Sequence, residues 1–183
     1  MNSFPFDEET AIAAVLYIIK NVGGSIDMHK LAKILYFADQ KHLVKYGRTI
    51  VGDEYVPMEY GPVPSTVYNA VKDINNAQRY KLFSKYLDLD LAAGMRIIKS
   101  NCDPDLDELS KSDVDCLDEA IRENKDLSFG ELVEKSHKEA WTNAAQKNLH
   151  FIKIEDIATE AGATNDVVEY IKDNISDHNL VLQ

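Results

Sequence analysis

Lys30-Leu31-Ala32-Lys33-Ile34-Leu35-Tyr36-Phe37-Ala38-Asp39 is the stretch whose periodicity sets the fold class. Leu31, Ile34, Leu35 and Ala38 recur at helical spacing and make one apolar stripe, with Lys30, Lys33 and Lys41 on the other faces. Asp27 supplies an N-cap ahead of this helix, and Gly47 after Tyr46 supplies a stop, because glycine accepts the left-handed conformation that ends a helix. Upstream, Asp7 caps a first helix carrying Ile12, Val15, Leu16 and Ile19, and Gly23-Gly24 ends it. Two amphipathic helices joined by a tight turn must bury their stripes against further elements.

Downstream the pattern changes. Thr49-Ile50-Val51 and Glu54-Tyr55-Val56, separated by Gly52-Asp53, read as a short hairpin, and Pro57, Pro62 and Pro64 confine it to a sheet edge or loop. Pro64-Ser65 opens a third helix with Val67, Tyr68, Val71 and Ile74 inward, ended by Asn75-Asn76. Leu87, Leu89 and Leu91 alternate with Asp88 and Asp90 before Ala93-Gly94 and Met95-Arg96-Ile97-Ile98, a second hairpin signal. Ser112 and Ser128 read as N-caps of two further helices, and helical patterns follow to Asn148, over Ile154 to Ala161 and over Val167 to Ile175, before a polar tail from Ser176 to Gln183. The expected fold is mainly α (α+β): a compact helical domain with a small antiparallel β-hairpin or sheet. Residues 1–150 are expected to form the main domain and 151–183 a helical extension packed on it or trailing from it.

The composition bounds the function. The 183 residues include nine Tyr and six Phe, are 45% hydrophobic and carry a formal charge of −11. Such a chain has a core, unlike an acidic disordered one. Its acidity opposes wrapping a phosphate backbone, which relies on counterion release at a basic face. Two cysteines, Cys102 and Cys116, are too few for a disulfide framework, the N-terminal segment is acidic where a signal peptide would be basic, and no apolar run suits a membrane span. A cytoplasmic location is the expectation. The charge is unevenly spread: +4 over residues 20–50, +3 over 72–100, −8 over 101–135 and −4 over 136–183. It describes either a set of solvated helix faces or, if the fold holds 101–135 away from the second and third helices, a dipole that steers a charged partner.

No motif for metal, nucleotide or cofactor is present. The five histidines show no paired ligand spacing, and the glycines match neither a phosphate loop nor a dinucleotide fingerprint. Ser136-His137 is the one adjacent Ser-His pair, which leaves a hydrolase using His137 as a minor reading. The first two helices followed by a hairpin also admit a winged-helix reading with the second-helix lysines in a major groove, against which stand the Tyr36-Phe37 stripe and the overall acidity.

Three segments in order carry more information: Lys30 to Asp39; Glu59-Tyr60-Gly61-Pro62-Val63-Pro64 followed by Val67-Tyr68; and Ser136-His137-Lys138-Glu139-Ala140-Trp141. The set resembles the Panacea domain family, which includes SocA-type antitoxins and phage-associated GepA-like proteins, over about residues 10 to 147. The resemblance implies a mainly helical, non-enzymatic antitoxin that binds a cognate protein toxin and holds it inactive. The SocA-type member also hands its toxin to a AAA+ protease, so a proteolytic adaptor is the alternative, with the polar tail as a handle. Ser136 stands where the family usually has Thr, and Ala140 where it usually has Pro. The motif residues Lys33, Leu35, Tyr36, Tyr60, Gly61, Pro62, Val63, His137 and Trp141 are read as scaffold, with Trp141 closing the core, its indole N–H in need of an acceptor, and His137 bonding carbonyls of the Tyr60 turn or of the second helix. Partner contacts are expected from Tyr46, Arg48, Tyr55, Met58 and Tyr60 around the first hairpin, since large aromatics and arginine on loops make effective anchors. Neither membrane nor cofactor enters this reading, and the oligomeric state stays open.

Overall fold

The computed structural model describes residues 4–74, 78–92, 94–100 and 102–181. Its centre is helix α2, Met28–Tyr46, in which every residue from Leu31 to Asp39 is buried, Lys33 and Asp39 included. The sequence stripe marks only one of its faces. Helix α1 (Glu8–Asn21), the hairpin strands β2 (Tyr55–Met58) and β3 (Gly61–Pro64), α5 (Lys111–Asn124), α6 (Phe129–Ser136) and α8 (Ile154–Glu160) leave no side of its middle open. A helix surrounded in this way must be apolar or internally satisfied all round. Its ends follow local chemistry: the Asp27 carboxylate accepts from the Lys30 amide at 2.9 Å, and Gly47 adopts φ +68°.

Strand β1 (Ser25–Asp27) lies in the turn between α1 and α2 and pairs antiparallel with β5 (Met95–Lys99), which in turn pairs with β4 (Asp88–Ala92). Ile26 and Ile98 meet in that register, both buried, so the small sheet closes one end of the helical layer. The chain is completed by α3 (Ser65–Lys72), α4 (Lys81–Tyr86), a 3-10 turn at Leu106–Glu108, α7 (Glu139–Gln146) and α9 (Asn165–Val181). The architecture is therefore mainly α with two small antiparallel sheets.

Several local expectations shift. Thr49-Ile50-Val51 is not a strand: the run is pinned onto α2 by Asp39, whose carboxylate accepts from the Ile50 amide and the Tyr55 hydroxyl, each at 2.7 Å. The hairpin lies six residues further on, with Val56 opposite Val63 and Glu59-Tyr60 at its tip. Gly52-Asp53 is not its turn. The cap of α5 is Ser110 rather than Ser112, in a reciprocal capping box with Asp113. The chain expected to be a polar tail continues α9 to Val181. Asn75-Asn76, expected to end the third helix, lie outside the described residues.

Candidate docking site

The Tyr60 turn between β2 and β3 lies over the first half of α2, and the three sequence motifs meet around it. The Trp141 indole N–H donates to the Met58 carbonyl at 2.9 Å, and the Lys33 ammonium donates to the Pro62 carbonyl at 2.8 Å. Between them His29 Nε2 stands 3.4 Å from the Tyr60 carbonyl, a long contact. Gly61 has φ +101°, and a Cβ there would come within 2.5 Å of Ser136 Oγ, 2.6 Å of Lys33 Nζ and 3.2 Å of His137 Cδ2. Both the backbone angle and the close approach demand glycine. His137 stacks flat on Trp141, ring centroids 3.7 Å apart.

The electrostatics are unusual for so small a region. Lys33 is fully buried, and no carboxylate among the described residues pairs with it. Burial alone pushes its ammonium down to about 7. Burial, and then the charge of Lys33, also lower His29 and His137 below the usual imidazole range. His137 Nε2 is buried without a hydrogen-bond partner. The turn carbonyls assigned to His137 from sequence are instead taken by Trp141, His29 and Lys33. Ser136 and Lys33 flank Gly61, but both are fully buried and the Ser136 hydroxyl donates to the Val133 carbonyl at 3.1 Å. A substrate would have to displace the turn to reach them.

The outer side of the turn forms a groove of about 360 Å³. Met28, Ala32, Val63 and Tyr68 lie along it with four exposed large side chains: Met58, Tyr60, Met95 and Phe129. Eight large hydrophobics are exposed among the described residues, so half of them share one depression. Phe129 packs on His29 at 4.2 Å and edge-on to Tyr60 at 5.3 Å between ring centroids. Asp27 and Arg96 are the charged residues of the lining. Met58 and Tyr60 were expected partner residues; Tyr60 is about half exposed and so is a surface residue rather than scaffold. Phe129, Met95 and His29 were missed: Phe129 stands at i, i+3 spacing from the buried Leu132, so periodicity reads it as core although it is exposed.

A family model described as antitoxin SocA-like, Panacea domain, matches residues 31–142, more than half of the chain. The chain belongs to the SocA-like Panacea antitoxin family. No curated protein and no solved structure matches it. In this Panacea domain the matched span holds α2 from Leu31 onward, the β2–β3 hairpin and the Ser136 to Trp141 motif, so all the groups that hold the turn except His29 lie within it.

The other expected contact residues lie elsewhere on the Panacea domain. Tyr55 is fully buried, its hydroxyl on Asp39, so its side chain offers nothing to a partner. Tyr46 is exposed and Arg48 half exposed, but they sit at and just past the C-terminal end of α2, about 25 Å of helix from His29 at 1.5 Å per residue. Arg48 is occupied there: it donates to Asp113 at 3.0 Å. Lys33 of α2 faces the hairpin, and its other lysines are engaged with α5 and the residue after it rather than offered to a nucleic-acid groove. Lys41 pairs with Glu123 at 2.7 Å and Lys45 with Glu119 at 2.5 Å, while Lys30 donates to the Lys125 carbonyl. The basic second helix and the acidic segment therefore meet rather than lie apart, and the dipole reading fails. Among the described residues no helix is long and apolar enough to cross a membrane.

Proposed function

We propose that this chain is an antitoxin that neutralises a cognate protein toxin by direct binding, and that the toxin docks on the groove beside the Tyr60 turn. The family supports the class. The observation that carries the site is the gathering of Met58, Tyr60, Met95 and Phe129, all exposed, around one depression. Exposed apolar side chains scattered singly need no partner, but a contiguous set with two aromatics has the composition of a binding hot spot. A stable interface would bury on the order of 800 Å² of this chain, so the groove would be its centre rather than its whole.

Co-expression with the toxic product of a neighbouring reading frame tests the class, and purified complexes test the site. The Tyr60→Ala, Phe129→Ala double variant should bind the toxin at least about 30-fold more weakly, the loss of one strong anchor, while melting within a few degrees of wild type. Tyr46→Ala, at the far end of α2, should bind as wild type does. Unchanged affinity in the double variant would remove the groove from the interface, and absence of any toxin binding would remove the antitoxin reading.

A further inference from the structure

Each hold on the Tyr60 turn runs through a base or a ring stacked on one. Trp141, which binds the Met58 carbonyl, stacks on His137; His29 faces the Tyr60 carbonyl; Lys33 binds the Pro62 carbonyl. The carboxylates of the surrounding elements are committed or remote. Asp27, closest to His29, caps α2. Glu160 accepts from the Tyr36 hydroxyl, the Gln40 side chain and the Ala140 amide. Glu59, in the turn itself, is exposed. The groups facing Lys33 from the packed elements are the Pro62 carbonyl, the Ser136 hydroxyl and His137, none of them anionic. Three bases thus converge on one glycine turn with Asp27 near His29 as the one counter-charge and none facing Lys33 or His137, and the His137 ring nitrogen Nε2 is left without a partner.

We propose that Lys33, His29 and His137 form a proton-sensitive clamp: with these bases uncharged the turn is seated and the docking groove complete, and protons taken up by them release it. Charging them places positive groups beside one another around the enclosed Lys33 ammonium, where repulsion is less screened than in open solvent. A neutral amine keeps the bond to the Pro62 carbonyl at no such cost. The direction follows from burial, which holds Lys33 down to about 7 and lowers both histidines. The folded clamp binds fewer protons than a released one, so acidification through neutrality favours release. Tyr60 and Met58 are carried by this turn, and in that respect the clamp rests on the docking reading above.

The test uses the free protein, so its failure is separable from that of docking. Trp141 is the chain's one tryptophan and lies on His137, which makes its fluorescence a reporter of the clamp. Between pH 8 and pH 6 the fluorescence should change with a midpoint near 7, and hydrogen-exchange protection of the Gly61 amide, paired with Met58 in the hairpin, should fall about tenfold for one coupled proton. Lys33→Met, which keeps the stem and removes the charge, should flatten both profiles. Flat wild-type profiles over this range, or an unchanged profile in Lys33→Met, would overturn the clamp and leave docking standing. If Lys33→Met does not fold, NMR titration of the wild-type lysine side chains decides: Lys33 should lose its proton near 7, and titration near the ordinary value of about 10.4 would refute the proposal.

Discussion

Two buried carboxylates on α2 and its neighbours show how one residue's partners set its sign. Asp39 is fully enclosed with the Ile50 amide and the Tyr55 hydroxyl but no salt-bridged cation, and burial pushes it up to about 6. Asp113 is also enclosed, yet bonds from His42 and Ser110 and the nearby Arg48 guanidinium outweigh burial and hold it down to about 2. Lowering the pH from about 6 to about 3.8 therefore favours the folded state at Asp39, whereas Asp113 contributes stability that is present above about 3.8 and lost as the pH falls through about 2. Asp113→Asn should cost about 2 kcal/mol at pH 7, the scale of hydrogen bonds to a charged group. The gap to wild type in urea unfolding should narrow as the pH is taken from 4 towards 2. A gap that stays constant over that range would mean the Asp113 charge contributes nothing.

At the scale of elements, α3 is instructive because its cap is not local. Pro64 at its N-cap position has no side chain to accept a bond, and Asp53, from the far side of the β2–β3 hairpin, accepts from the Thr66 and Val67 amides, both at 2.9 Å, as well as from Glu54. Asp53→Ala strips these donors in a buried place and should destabilise the protein by about 2 kcal/mol, with Asp53→Asn recovering part of it. Equal melting temperatures for Asp53→Ala and wild type would contradict the remote cap. The contrast explains what was legible in the sequence. Asp7, Asp27, Gly47 and Ser128 are local signals, and the ends of α1, α2 and α6 were readable from them. The β-branched run Thr49 to Val51 looks like a strand to local propensity, but Asp39 holds it as an irregular segment, and β1 is three residues whose partner lies beyond residue 94. The ordered motifs revealed which residues belong to the site. Periodicity placed Lys33 off the apolar stripe, because no stripe argument can see that the hairpin, α6 and α8 would enclose the helix from the other side.

For the molecule as a whole, the neutralised contact of α2 with α5 leaves its acidity elsewhere, and α2 becomes the axis on which segments outside the family match also depend. Helix α8 packs on α2 and α7, and the Ile152 amide bonds the Tyr55 carbonyl at 2.8 Å to continue the β2 edge. Glu160 ties α8 to Tyr36 and Gln40 of α2 and to the first turn of α7, and Tyr170 of α9 covers Gly47. Ile152, Ile154, Ile157, Ile171 and Ile175 are all buried. At about 2 kcal/mol for each enclosed aliphatic side chain, their burial is comparable to the entire stability of an ordinary domain, about 5–15 kcal/mol. We therefore predict that residues 151–183 are not an appendage but part of one cooperative unit. The full chain should melt in a single transition with equal calorimetric and van't Hoff enthalpies, and a chain ending at residue 150 should bind a hydrophobic dye and show no cooperative transition. A truncated chain that melts cooperatively within about 3 °C of the full one, a shift of about 1 kcal/mol at this size, would show instead that the first 150 residues close a core of their own.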